Sequence, residues 1–372
     1  MSVKIKEFLY QVRVYNFTNN QIMGVYDDLV EVSYRKQCNK IGMAVLTVPE
    51  GHAILDLLAD DVTIGIYIAY PNETSLAWVL DYEGQYRDRQ ITTDNDGNVY
   101  YLLFFPSMME ILSRYIVAWP SGVTDRSDFS GQELAEIVNL VIKYNCSTFA
   151  TTTNGRLRTA TVIRSLYIGY PVTGSPVISY SVSGRNVLEL LQEWASLCNF
   201  DFDIIGYPGR PGDYYVKQYS GQLGTDRSTD VVFDLALDNL NGANMLGDRL
   251  REKTKAIVGG SGTGAARTYA LRTGDNSSAT NEYEVFVDAS TETVTANLEA
   301  IGDARLGELK ATAKINASVV SSWRYVYGQS YFHGDLVTVQ IGDVSVVRKI
   351  DAVDVSFSQN QHTDIRLEFA NP

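Results

Sequence analysis

The chain has 372 residues, 45% of them hydrophobic and 20% charged, with 44 Asp+Glu against 31 Lys+Arg for a formal net charge of −13. That balance excludes a disordered or collagen-like chain, and an acidic surface argues against affinity built on nucleic-acid phosphates. The length exceeds the ~250–300 residues at which a single core stops growing, so several domains are expected.

The N-terminal sequence MSVKIKEFLYQVRV lacks a signal-peptide core, and the longest apolar run, Val62 to Tyr70, is about half the ~20 residues a membrane helix needs. No leader and no stable membrane insertion are expected. Residues 1–116 are then dominated by period-2 patterning: Phe8, Tyr10, Val12 and Val14 share a face, as do Val30, Val32 and Tyr34, and Val62, Ile64, Ile66 and Ile68. Further strands are predicted at Met43–Val48, Trp78–Tyr86 and Val99–Phe105. Asp94-Asn95-Asp96-Gly97-Asn98 supplies turn chemistry before the last of these. This is the pattern of a small barrel or sandwich.

From 117 to 235 the period changes. Ser130 and Glu133 have capping-box spacing, Phe129 and Leu134 form a hydrophobic staple, and Leu134, Ile137, Val138 and Val141 make a helical stripe, predicting a helix over 131–144. A second helix is predicted over 186–198, with Val187, Leu190, Leu191, Trp194 and Cys198 on one face and Ser183 as its start signal. Strands Phe200–Ile205 and Tyr214–Tyr219 follow, around the loop Pro208-Gly209-Arg210-Pro211-Gly212. In this reading Asp201 and Asp203 share a solvated strand face, since they alternate with Phe200 and Phe202.

Residues 236–268 and 322–372 are assigned to a second β-barrel, interrupted by an inserted strand-helix segment at 269–321. Within the insert, Asp288 to Ala313 is helical in composition, and Gly302 and Gly307 predict a break. Near the C-terminus Leu336–Ile341 alternates cleanly, Gly342-Asp343 is a two-residue hairpin turn, and Ile365, Leu367 and Phe369 oppose Asp364, Arg366 and Glu368. The fold class is therefore α+β, mainly β: two small antiparallel β-barrel domains with α+β domains between them.

Chemistry-bearing patterns are few. Gly259-Gly260-Ser261-Gly262-Thr263-Gly264 follows the apolar strand Lys255–Val258 as a dinucleotide fingerprint would. Ala265 breaks the glycine register, however, no Lys-Ser/Thr pair follows, and Ala266–Leu271 reads as another strand. A strand-to-strand loop is the commoner structure, and a cofactor- or glycan-binding enzyme using this loop is the alternative reading. On a strand, Arg249, Arg251, Lys253 and Lys255 would share one face, giving a salt-bridged surface or a stripe facing another protomer or a channel. His52, His333 and His362 lie in no metal or relay motif, and His333 is read as a turn residue. Asp94, Asp96 and Asn98 alternate like calcium-loop ligands, but no closing acid follows, so a hairpin turn is preferred. No GxSxG elbow is present. Cys38, Cys146 and Cys198 are odd in number, far apart and unpaired with histidines in any metal spacing, so a reducing assembly site is expected. No catalytic, cofactor or metal residue is assigned.

The ordered set DRLREKTKAIVGGSGTGAART (248–268), Phe286-Val287-Asp288-Ala289, Tyr327-Gly328-Gln329-Ser330-Tyr331 and Gly334-Asp335-Leu336-Val337-Thr338-Val339 resembles the tail-tip (baseplate) hub proteins of long-tailed bacteriophages. The resemblance implies a non-enzymatic homotrimer at the tail tip of the virion, assembled in the host cytoplasm. Its implied partners are the distal tail protein or tail-tube ring, the tape-measure protein, and the central fibre or receptor-binding proteins, with DNA passing non-specifically through the ring. Many relatives continue into a lysin domain; none is expected here.

Overall fold

Alternating apolar residues near the N-terminus form the antiparallel sheet Ile22–Tyr26, Leu9–Tyr15, Thr63–Ala69, Val79–Gln85, in that spatial order. The computed structural model describes residues 9–16, 20–58, 62–70, 77–160, 166–169, 175–198, 200–206, 213–290, 292–319, 325–358 and 363–370. Phe8, His362 and the 208–212 loop lie outside the described residues.

A ten-stranded sheet joins the two ends of the chain. Its path runs Leu240–Asp248, Thr312–Val319, Thr363–Ala370, Val344–Ser358, Glu31–Gln37, Met43–Pro49, Val99–Pro106, Asp88–Thr93, and Leu336–Ile341 and Val232–Asp234 branch from Val344–Ser358. The decisive contact is antiparallel pairing of Glu31–Gln37 with Val344–Ser358, where Val355 faces Tyr34 and Phe357 faces Val32. The sheets are not closed into barrels, which corrects the expectation of two. The reason is the 15-residue strand Val344–Ser358, which pairs with Leu336–Ile341 through its first half and with Glu31–Gln37 through its second. One core accordingly mixes Val12, Ile64, Leu46 and Phe105 with Phe233, Val339, Val353 and Phe369. The Gly342-Asp343 hairpin forms as expected, with Ile341 opposite Val344.

The middle region has its own core, built from Leu134, Ile137, Val141, Val187, Leu191 and Trp194. Its first helix is Leu134–Cys146, and the expected capping box does not form: Glu133 is the N-cap and makes no side-chain cap bond. Ser127–Glu133 is instead recruited as a strand against Val177–Val182. That neighbour also satisfies the helix start, since Leu134 N donates to the Pro176 carbonyl at 2.9 Å and Ala135 N to Ser175 Oγ at 3.1 Å. The second helix, Val187–Cys198, is capped by Asn186 and not by Ser183: Asn186 Oδ1 accepts from Leu188 N at 3.0 Å, while Ser183 Oγ donates to the Asp125 carbonyl.

A third unit comprises the sheet Tyr269–Thr273, Lys255–Gly259, Glu284–Asp288, covered on one face by the helix Thr295–Glu308. The boundary drawn at residue 268 falls between two strands of this sheet. The predicted helix break is absent, because Gly302 brings the helix against the sheet: a Cβ there would lie 2.6 Å from Arg272 Cγ and 3.0 Å from Val258 Cγ2.

Candidate functional site

Three buried carboxylates fasten the units together. Alternation on Glu31–Gln37 sends Tyr34 and Lys36 to one side, and both reach Asp81 on Val79–Gln85: Tyr34 Oη donates at 2.6 Å and Lys36 Nζ at 2.9 Å. Tyr327, from the Tyr327–Tyr331 segment, donates to both Asp81 oxygens at 3.1 Å, and Tyr70 Oη donates to the Tyr327 carbonyl. Burial pushes the Asp81 carboxyl upward, but the Lys36 charge and the bonds from Tyr34, Lys36 and Tyr327 outweigh it and hold the group below its ordinary value. The N-terminal strands are thereby tied to a segment almost 250 residues later.

Asp201 joins the middle region to the sheet. It is 3% exposed and ion-paired to Lys349; it accepts from Asn39 Nδ2 at 2.8 Å and from Leu223 N at 2.6 Å. Asn39 holds a left-handed backbone (φ 56°), and its Oδ1 in turn accepts from Phe202 N at 2.8 Å. The expected solvated face of Asp201 and Asp203 is therefore corrected. The strand Phe200–Gly206 is covered on both sides: Phe202 and Ile204 enter the helical core, while Asp201 faces the large sheet.

Asp335 is the third anchor, 2% exposed, accepting from Thr225 N at 2.7 Å and Phe332 N at 2.9 Å and pairing with Arg227 at 2.8 Å. Two clefts open beside these seams. One, of about 320 Å³, is lined by Lys36, Asp81, Asp203 and His333; the other, of about 840 Å³, by Asn39, Gln192, Asp201 and Lys349. In the first, burial raises the Asp203 carboxyl to about 6 and lowers the His333 imidazole to about 3. His333 lies 3.4 Å from Cys38 Sγ and 3.2 Å from the Asp351 carbonyl, so it is a packed seam residue as well as a turn residue. Burial pushes the Cys38 thiol far up, which leaves it an inert neighbour.

The glycine loop is filled by its own chain. Gly260 N donates to the Thr268 carbonyl and Ser261 N to the Glu292 carbonyl, both at 2.8 Å. Arg267 donates to the carbonyls of Gly260 and Gly259 at 3.0 Å and pairs with Asp288. The first two loop amides, Gly260 and Ser261, are thus committed to carbonyls, and the strand Tyr269–Thr273 follows in place of a long helix.

The basic segment is not one strand face. The chain turns at Leu250–Arg251, with Glu252 N donating to the Arg249 carbonyl, and the next strand starts only at Lys255. Arg249 pairs with Glu252 at 2.9 Å and Lys255 with Glu282 at 2.7 Å, whereas Arg251 and Lys253 form no ion pair among the described residues. Turn formation wins because Glu252, only 4% exposed, is drawn inward to Arg249, Asn276 and Asn281. His52 caps the short turn Ala53–Leu57, and Asp94 Oδ1 accepts from Asp96 N and Asn98 N as a hairpin turn requires. No His/Cys/Asp/Glu group suited to a metal exists among the described residues, and none of their helices is long and apolar enough to cross a membrane.

A model of the Siphovirus ReqiPepy6 Gp37-like protein family matches residues 11–370. The chain belongs to that family. Its fold is also that of prophage tail proteins. The 43 kDa tail protein of prophage MuSo2 from Shewanella oneidensis aligns over 98% of both chains at 13% identity, with a TM-score of 0.63. Tail protein gp18 from Listeria monocytogenes EGD-e aligns over 97% of this chain and 94% of its own at 13% identity, with a TM-score of 0.57. The tail protein from Neisseria meningitidis MC58 aligns over 97% and 96% at 11% identity, with a TM-score of 0.57. No curated protein matches. This Gp37-like chain therefore shares its fold, end to end, with prophage tail proteins.

Proposed function

We propose that this Gp37-like protein is the hub of the tail tip, a homotrimeric ring that joins the tail tube and distal tail ring to the central fibre, holds the end of the tape-measure protein and gates DNA exit. The observation that carries the reading is the continuous sheet uniting both chain ends, in a fold that aligns end to end with a prophage tail protein. Pinned by Asp81, Asp201 and Asp335, such a unit resists bending between its parts, as a load-transmitting stave must. The division 1–116, 117–235, 236–268 with 322–372, and 269–321 is proposed as the set of assembly modules except at residue 268, where pairing of Lys255–Gly259 with Tyr269–Thr273 puts 255–268 with the inserted segment. Arg251 and Lys253, the two cations of the basic segment that form no ion pair among the described residues, face a protomer interface or the channel in this reading.

Sedimentation velocity on the full chain, with and without the distal tail protein, tests the ring, and gold-labelled antibody on intact virions tests the position. Trimers and decoration confined to the distal end of the tail are expected. A chain that stays monomeric under both conditions, or label along the tail shaft, overturns the hub.

A further inference from the structure

Two surfaces of this chain combine exposed apolar groups with charges that have no ion-pair partner among the described residues. The first lies on the middle region. Arg156 is 8% exposed, stacks 4.8 Å from the Tyr144 ring and donates from Nη2 to the Ala118 carbonyl at 2.8 Å, yet its Nε has no partner. Burial lowers its pKa; Tyr144 partly opposes this, and neighbouring Arg158 adds to it. Arg158 Nη1 is likewise buried without a partner, while its Nη2 donates to the Ile116 carbonyl at 2.8 Å. Lys143 completes the group, 4.9 Å from the Phe149 ring. Three cations thus gather with no acid paired to them among the described residues, in a chain of net charge −13. Around them Phe149, Leu157 and Ile116 are 48%, 46% and 49% exposed. Unneutralised, partly desolvated cations framed by exposed apolar groups describe half of an interface.

The second surface is the open face of the sheet Tyr269–Thr273, Lys255–Gly259, Glu284–Asp288. The helix Thr295–Glu308 covers the side of Val258 and Ala270. Strand alternation turns Leu271 and Phe286 outward, 74% and 54% exposed, and the register sets both opposite Ile257 in one cross-strand row. Along the outermost strand and the residues leading into it, Glu282, Glu284, Phe286 and Asp288 alternate, and all four are exposed. Glu284 forms no ion pair among the described residues. Glu282 and Asp288 pair with Lys255 and Arg267, so the face is an apolar row beside one carboxylate, Glu284, that is free of an ion pair.

We propose that these two surfaces meet between copies of this chain: the Leu271–Ile257–Phe286 face of one protomer docks on the Lys143, Arg156 and Arg158 patch of the next. The occupant follows from complementarity, because apolar groups meet apolar groups while Glu284 approaches cations that have no acid partner among the described residues. Two different patches on one chain make a head-to-tail contact, which closes into a ring when the rotation per copy allows it. The assignment rests on the ring reading above and names the surfaces that would form it.

The test uses the full chain in sedimentation velocity, with circular dichroism confirming that each variant is folded. Phe286→Asp is expected to weaken association at least about 30-fold. Lys143→Glu, at a half-buried side chain, and Glu284→Lys, at an exposed one, break no ion pair among the described residues; each is expected to weaken association about 3- to 10-fold, and the double variant to recover most of that loss. Wild-type rings that persist unchanged in all three single variants overturn this surface assignment and leave the ring standing. Wild-type chain that never associates overturns the ring and this assignment with it. Lys143→Glu that abolishes retention of duplex DNA in a gel shift without changing sedimentation assigns the cationic patch to nucleic acid and likewise overturns the contact.

Discussion

Lys349 and Asp201 form an ion pair with side chains only 12% and 5% exposed, one on the large sheet and the other on the strand Phe200–Gly206 of the middle region. Asn39 and the Leu223 amide fill the remaining carboxylate positions. The pair is therefore a joint between units, and removing one member strands the other charge. Asp201→Ala is expected to lower stability by about 3–5 kcal/mol in urea unfolding, because Lys349 is left buried and uncompensated. A change below about 1 kcal/mol sinks this account of the joint.

Tyr327→Phe tests the Asp81 seam with a change of one oxygen. Loss of a hydrogen bond to a charged acceptor is expected to cost about 1.5–3 kcal/mol. The Asp81 carboxyl is held below its ordinary value, so the stability it contributes is present above the unfolded carboxylate pKa and is lost as pH falls through the lower folded one. Asp81→Asn should accordingly flatten the acid limb of a stability-against-pH curve; an unchanged limb rules the seam out as its source.

Asp203 behaves in the opposite sense. Its folded carboxyl titrates near 6 against an ordinary value of 3.8, so the folded state binds the extra proton between those values and stability falls as pH rises through that window. Asp203→Asn removes that slope and is expected to raise stability at neutral pH by about 1–2 kcal/mol, after allowance for its partial exposure. Thermal melts at pH 4.5 and 7.5 measure it, and a variant less stable than wild type at pH 7.5 contradicts the argument.

Gly302→Ala sets helix propensity against packing. Alanine gains about 1 kcal/mol in a helix, but its Cβ would meet Arg272 Cγ and Val258 Cγ2 where overpacking costs about 1–3 kcal/mol. A lower melting temperature is expected, with faster amide exchange confined to 255–308; a higher one shows that the helix has room to move away.

Much of the strand content was legible because period-2 alternation survives wherever one sheet face is buried: Leu9–Tyr15, Glu31–Gln37, Thr63–Ala69 and Leu336–Ile341 all lie where alternation places them. Asp88–Thr93 carries no such signal, since all six of its residues are exposed at a sheet edge. Asp201 was misread for the converse reason. A strand covered on both faces loses the contrast that alternation depends on, and a buried acid then looks like a solvated one. The Arg249–Lys255 segment failed differently: its alternation of charge is real, but the pull of Glu252 inward bends the backbone before a strand can form.

By itself the sequence determined the strands that bury one face and the two long helices of the middle region, that the glycine run lacks a phosphate-binding register, and the family resemblance carried by four short motifs. These are properties of near neighbours along the chain, set by side-chain period, turn chemistry and spacing. Only the tertiary structure decided that the two β-rich ends share one sheet and one core, that Asp81, Asp201 and Asp335 fasten the units, and that Lys143, Arg156 and Arg158 gather without an acid. Those facts depend on strand pairings and ion pairs between residues tens to hundreds of positions apart, such as Tyr34 with Val355 and Asp201 with Lys349. Local propensity holds no record of partners that distant; packing selects them from many candidates of equal local merit.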